Sequence, residues 1–147
     1  ASLRSILRGL GERRALVHVV VNGSRDGTGD VVEAMLPGEP RLRLHRLTLG
    51  DKSNAWNHYV HHAAGDADMH VFVDGDTEID ERAFAAFEAR ARGREGVLVY
   101  AGVSKGGAGD ARVAAAQLRD NALAGCLYAM PGDAIRMVRQ RRFRLPV

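Results

Sequence analysis

Met69-His70-Val71-Phe72-Val73-Asp74-Gly75-Asp76 is a short apolar run that passes directly into two aspartates separated by one glycine. Short Val- and Leu-rich runs alternating with segments of helical period are the pattern of strands feeding crossover helices in a parallel sheet. Upstream, Ala15 to Val21 is nearly all aliphatic, as expected of a strand buried on both faces, and it stops at the turn signal Asn22-Gly23-Ser24. Gly27-Thr28 opens a short helix through Met35, which Leu36-Pro37-Gly38 ends. Arg41 to Arg46 alternates leucine with basic residues, which suits a half-exposed strand. From Ser53 to Ala64, residues Ala55, Tyr59, Val60 and Ala63 share one helical face, with Asp51 or Ser53 as N-cap and Gly65 as the stop. Downstream, Asp80 is expected to cap a helix through Arg92 with Ile79, Ala83, Phe84 and Phe87 at its apolar positions. Val97 to Val103 reads as the next strand. A glycine-rich loop (Gly106, Gly107, Gly109), an Ala-rich helix near Asp110 to Arg119, a strand at Leu123 to Met130 and a helix capped by Asp133 complete the order. The sum is a layered α/β domain with a mostly parallel sheet flanked by helices, Rossmann-like in organisation.

Open sheets of this kind bind ligands at the carboxyl ends of their strands, which directs attention to Asn22 to Thr28 and to Asp74 to Asp76. Side chains two apart in an extended chain point the same way, so Asp74 and Asp76 are expected to aim two carboxylates at one point. Paired carboxylates are hard oxygen donors suited to Mg²⁺ or Mn²⁺, ions that keep positions open for phosphate oxygens. The expectation is therefore a diphosphate site. A second Asp-x-Asp, Asp66-Ala67-Asp68, precedes its strand and reads as solvated surface.

With 147 residues, 46% of them hydrophobic, the chain can bury one core, so a single domain over residues 1–147 is expected. Its one cysteine, Cys126, sits in an apolar run and reads as a buried, inert thiol, in keeping with a reducing compartment. No stretch reaches the roughly 18 apolar residues of a membrane helix, and the N-terminus lacks the apolar core of a signal peptide. The net charge is +3, yet Arg136, Arg139, Arg141, Arg142 and Arg144 crowd the C-terminus. A solvated helix end is the plain explanation, and an anionic acceptor, a membrane surface or nucleic acid the sharper ones; the expected location is cytoplasmic, the inner face of the membrane included.

Three ordered motifs resemble the donor-binding half of family 2 glycosyltransferases, which have the GT-A fold. Val19-Val20-Val21-Asn22-Gly23-Ser24-Arg25-Asp26-Gly27-Thr28 is similar to that family's strand, nucleotide-contacting residue and Gly-Ser-x-Asp-Gly-Thr turn. Gly50-Asp51-Lys52-Ser53-Asn54-Ala55-Trp56-Asn57 resembles its Gly-Lys-x-x-Ala-Leu-Asn segment, and Val71 to Asp76 its strand and metal motif. The resemblance implies that Asn22 meets the base or ribose, that Lys52 neutralises donor phosphate or touches the base, and that Asn54 lies in the same donor site. It implies that Asp76 binds Mn²⁺ or Mg²⁺ directly, and that Asp74 contacts ribose or a metal-bound water. For the complete enzyme it implies inverting transfer from a nucleotide-diphosphate sugar, a UDP-sugar by preference, to an acceptor hydroxyl on a glycan, lipid or small molecule. Nucleic acid is not an expected partner.

Against the family pattern, residues 1–14 correspond only to the helix after a first strand, and no downstream aspartate serves as catalytic base. The base is expected outside this chain, and the domain is expected to be cut short at both ends. Asp133, in Pro131-Gly132-Asp133-Ala134, reads as a helix cap. His58, His61 and His62 include an i, i+4 pair, but no Glu follows His58 as a zinc protease requires, so a solvated or partly packed helix face is expected. Two alternatives stay open: a sugar-phosphate nucleotidyltransferase, and a non-catalytic nucleotide-binding module.

Overall fold

The structure, a computed structural model, describes residues 1–103, 110–120, 123 and 125–147. The glycines expected to form a loop, Gly106, Gly107 and Gly109, lie outside the described residues. In chain order the elements are α1 (Ser2–Leu10), β1 (Val17–Asn22), α2 (Thr28–Glu33), β2 (Leu42–Leu47), α3 (Lys52–His58), β3 (Met69–Val73), α4 (Ala83–Ala91), β4 (Tyr100–Ala101), α5 (Asp110–Asp120), β5 (Leu127–Pro131) and α6 (Gly132–Gln140). A 3₁₀ turn at Leu36–Gly38 follows α2, and a π-helical turn, Tyr59–Ala63, extends α3.

Strands and helices alternate as the apolar pattern predicts, so the chain is α/β. The pairing departs from one mostly parallel sheet. β1 and β2 form a parallel pair, whereas β5 runs antiparallel to both β3 and β4 in a three-stranded sheet ordered β3-β5-β4. Short apolar runs carry no information on direction, because strands of either orientation read as continuous apolar segments once both faces are covered. The expected strand at Val97 to Val103 shrinks to two residues. It is preceded by Gly96 in the left-handed region (φ 74°) and followed by Gly102, where a Cβ would come within 2.6 Å of the Leu127 side chain.

The chain divides into two compact units. The first joins Ala1–Glu12 to Ala67–Arg136. Its core holds Leu10, Ile79, Phe84, Phe87, Ala129, Ala134 and Ile135. Phe72 and Tyr128, directly opposed on β3 and β5, stack with ring centroids 4.7 Å apart. α4 begins at Ala83 with Arg82, not Asp80, at its N-cap; the Asp80 carboxylate accepts the Arg82 N–H (2.9 Å) in the turn before the helix. Asp133 lies inside the first turn of α6 and pairs with Arg136, so it is not a cap; a carboxylate there complements the helix dipole.

The second unit joins Arg13–Asp66 to Met137–Val147. Val21, Val32, Leu42, Val60 and Ala64 are buried in it. Asp51 caps α3 by accepting the Asn54 N–H at 2.7 Å, which settles the choice between Asp51 and Ser53. At the end of α6, Arg142 adopts φ 51° and the Phe143 N–H turns back to the Val138 carbonyl (3.1 Å). The tail is then fastened to α3 and its π turn. Asn57, only 5% exposed, accepts the Leu145 N–H and donates to the Leu145 carbonyl, both at 2.9 Å. His61 Nε2 lies 2.8 Å from the Phe143 carbonyl oxygen, and Trp56 meets Phe143 edge-on.

Candidate functional site

In the second unit, β1 ends at Asn22 and the chain turns at Gly23 with φ 68°. A Cβ on Gly23 would stand 2.6 Å from the N and Cα of Gly50, so the turn after β1 and the loop before α3 touch backbone to backbone. Only glycine combines that conformation with that approach. Asn22 Oδ1 accepts the Asp51 N–H at 3.2 Å, tying the two loops together beside this contact. The backbone N–H can only donate, so Asn22 turns its oxygen to Asp51, and the Nδ2 amide is its donor.

Asp26 organises the rest of the β1–α2 turn. Its Oδ1 accepts the Thr28 N–H (3.0 Å) and hydroxyl (2.6 Å) and the Ser24 hydroxyl. These bonds, Ser24 first and then Thr28, hold the Asp26 carboxyl well below the usual carboxylate range. Asn22, Lys52 and Asn54 are thereby collected at neighbouring turns: Lys52 is exposed in the first turn of α3, and Asn54 Nδ2 lies 3.4 Å from the Leu49 carbonyl. Sequence reasoning gave Asp51 a capping role alone and missed its second task, offering its N–H to Asn22. The signal was present in Gly23 and Gly50, which mark a close backbone approach.

In the first unit, Asp74 and Asp76 leave the carboxyl end of β3 inside a β-turn closed by the Thr77 N–H on the Asp74 carbonyl (3.0 Å). The chain is not extended here, which corrects the period-two argument for two parallel carboxylates. Pro-free and glycine-centred, the segment folds back immediately after the last ladder bond, from the Asp74 N–H to the Cys126 carbonyl (2.9 Å). α1 fastens the far side of the turn. The Ser2 hydroxyl donates to the Thr77 carbonyl (2.7 Å), and Ser5 Oγ accepts the Ile79 N–H (3.0 Å). Asp76 is exposed and Asp74 half-buried.

Among the described residues no group of three or more His, Cys, Asp or Glu is placed to hold a metal ion. The two carboxylates are hard oxygen donors, the kind that Mg²⁺ or Mn²⁺ combines with water and phosphate oxygens. Asp66 and Asp68 are both exposed, as expected of solvated surface. Cys126 is half-buried and not the fully buried thiol anticipated; its carbonyl accepts the Asp74 N–H. Of the basic C-terminal residues, Arg136 pairs with Asp133 and Arg139 donates to the Ala64 carbonyl (3.0 Å), while Arg141, Arg142 and Arg144 are exposed. No helix among the described residues is long and apolar enough to cross a membrane.

Comparison with known proteins gives one family: a sequence model described as Glycosyl transferase family 2 matches residues 1–137. No curated protein and no solved structure gives a significant match.

Proposed function

The chain belongs to glycosyl transferase family 2, and from that premise we propose that it binds a nucleotide-diphosphate sugar, a UDP-sugar by preference, in a GT-A type domain and transfers the sugar to an acceptor hydroxyl with inversion. What supports the proposal is the family match together with the placement of the residues within each unit: in the second, Asn22 ends β1 and Lys52 and Asn54 open α3 after β2; in the first, Asp74 and Asp76 follow β3. Strand ends of this kind are where α/β proteins put their ligands.

Asn22 presents an amide N–H, so it recognises an acceptor on the base or ribose. Lys52 supplies a flexible point charge to donor phosphate, and Asn54 adds a polar contact beside it. Asp76 would hold Mg²⁺ or Mn²⁺, and Asp74 would contact the ribose or a water of that ion. When bound, the cation supplies Lewis-acid stabilisation of the departing diphosphate. The base that takes the acceptor proton is assigned to none of the described residues. The family match favours this activity over a sugar-phosphate nucleotidyltransferase.

Calorimetric titration of UDP, GDP and UDP-glucose with and without Mn²⁺, on this chain and on Asp76→Ala, tests the assignment. Expected is manganese-dependent binding of one nucleotide, weakened at least tenfold by the substitution, as loss of about 1.4 kcal/mol or more requires. Binding that ignores both manganese and the substitution overturns the metal role. Absence of binding by the folded chain overturns the donor site.

A further inference from the structure

Three imidazoles lie end to end in the second unit, one from each of three elements. His18 comes from β1, His45 from β2 and His58 from the last position of α3. His18 Nδ1 lies 2.9 Å from His45 Nε2, and His45 Nδ1 lies 3.2 Å from His58 Nε2. The planes of the first two rings are 18° apart with centroids 5.2 Å from each other, and His45 meets His58 edge-on at 5.2 Å. All three are half-buried, and the Tyr59 ring closes on His18 at 5.3 Å. This is where a sheet and its covering helix ordinarily bury aliphatic side chains.

We propose that His18, His45 and His58 form a hydrogen-bonded imidazole chain that takes up one proton intact and parts on the second, releasing α3 from the β1–β2 pair in mild acid.

The proton count follows from geometry. Each nitrogen-to-nitrogen contact is bridged by a single hydrogen, and the two outer nitrogens, His18 Nε2 and His58 Nδ1, carry at most one each. Three neutral rings hold three hydrogens, two in the contacts and one at an end. A fourth fills the other end, leaving both contacts made. A fifth has nowhere to go except into a contact already bridged, where two N–H groups of adjacent cations would face each other. Unfolded, the same rings take three protons independently below about pH 6.5.

Much of the neighbouring charge is already committed. His18 is the only ionisable residue of β1. On β2, Arg43 donates to the Pro40 and Leu42 carbonyls, and Arg46 is committed to Asp30 and Glu33 of α2. From α3 and its π turn come Lys52 at the far end, Tyr59, His61 on the Phe143 carbonyl, and the exposed His62, whose ring lies 5.8 Å from that of His58. Burial first, and then His58, pushes His45 below the ordinary histidine range. Depressed proton affinity in the folded state means stability is present above the unfolded value, near pH 6.5, and is lost as pH falls.

α3 begins at Lys52, so its release would also displace Lys52 and Asn54; that consequence rests on the donor-binding role proposed above. The decisive experiment involves no donor, so the two proposals fail separately. Nitrogen chemical shifts of ¹⁵N-histidine-labelled chain, followed from pH 8 to pH 5 with amide exchange of α3, count the protons directly. Expected is uptake of one proton by the three rings without change in α3 exchange, then loss of α3 protection as the second enters. The folding constant should then fall by up to a hundredfold per pH unit, the slope of two protons. In His45→Gln that slope should become shallower. Three independent titrations with α3 still protected, or an unchanged slope in His45→Gln, would overturn the proposal.

Discussion

Truncating Asn57 to alanine should detach the C-terminal tail from α3 without unfolding the second unit. Asn57 is 5% exposed and makes two 2.9 Å bonds to one residue, Leu145, accepting its N–H and donating to its carbonyl. Neutral hydrogen bonds contribute about 1 kcal/mol each, so Asn57→Ala removes about 2 kcal/mol of tail attachment. That corresponds to roughly thirtyfold in the local opening constant. Leu145 is half-buried, so its freed groups reach water and the effect stays local. Asn57→Asp separates the two bonds. The isosteric carboxylate still accepts the Leu145 N–H but faces the Leu145 carbonyl with a second acceptor. Its protonated form can donate, so the folded-state proton affinity is raised, and attachment should be present in acid and lost as pH rises toward neutrality. Amide exchange of residues 143–147 reads all three proteins. If the Leu145 amide exchanges equally slowly in wild type and Asn57→Ala at pH 7, the clamp contributes nothing and the argument fails.

Two further outcomes are expected. Asp51→Ala should cost about 1 kcal/mol of stability through loss of the α3 cap, with Asp51→Ser recovering most of it in urea denaturation; equal losses in both would show that the cap is not the source. Asp26→Asn should flatten the acid limb of stability, because the Ser24 and Thr28 bonds lower the Asp26 affinity for protons and their contribution is present above about pH 4 and lost below it. Urea midpoints from pH 6 to pH 3 decide this, and parallel curves for the two proteins would refute it.

β1, β3 and the helices between them are legible in the sequence because turn signals bound the apolar runs: Asn22-Gly23 after β1, Gly65 before β3. Strand direction is not legible. Val97 to Val103 has a strand's composition, yet pairing reaches only Tyr100–Ala101, and whether β5 runs with or against β3 is decided by loops and packing. At the candidate site, residue identity was visible while posture was not. Asp74-Gly75-Asp76 reads equally well as extended chain or as turn, and only the bonds from Cys126, Thr77 and Ser2 choose. Asn57 gave no sign of its clamp, whose partner is 88 positions away. His18, His45 and His58 sit at separations of 27 and 13 with no common period, so only the folded chain brings their rings together.

The contact between Gly23 and Gly50 also bears on how the sequence can drift. The obstacle to a side chain at position 23 is the main chain of position 50, which no exchange of residue type at 50 can remove. Relief has to come from rerouting the loop, which means changing its length between Thr48 and Asp51. Among related chains, departures from glycine at 23 should therefore travel with insertions or deletions in that loop, a coupling that appears as gaps in an alignment and escapes any comparison of residue identities alone.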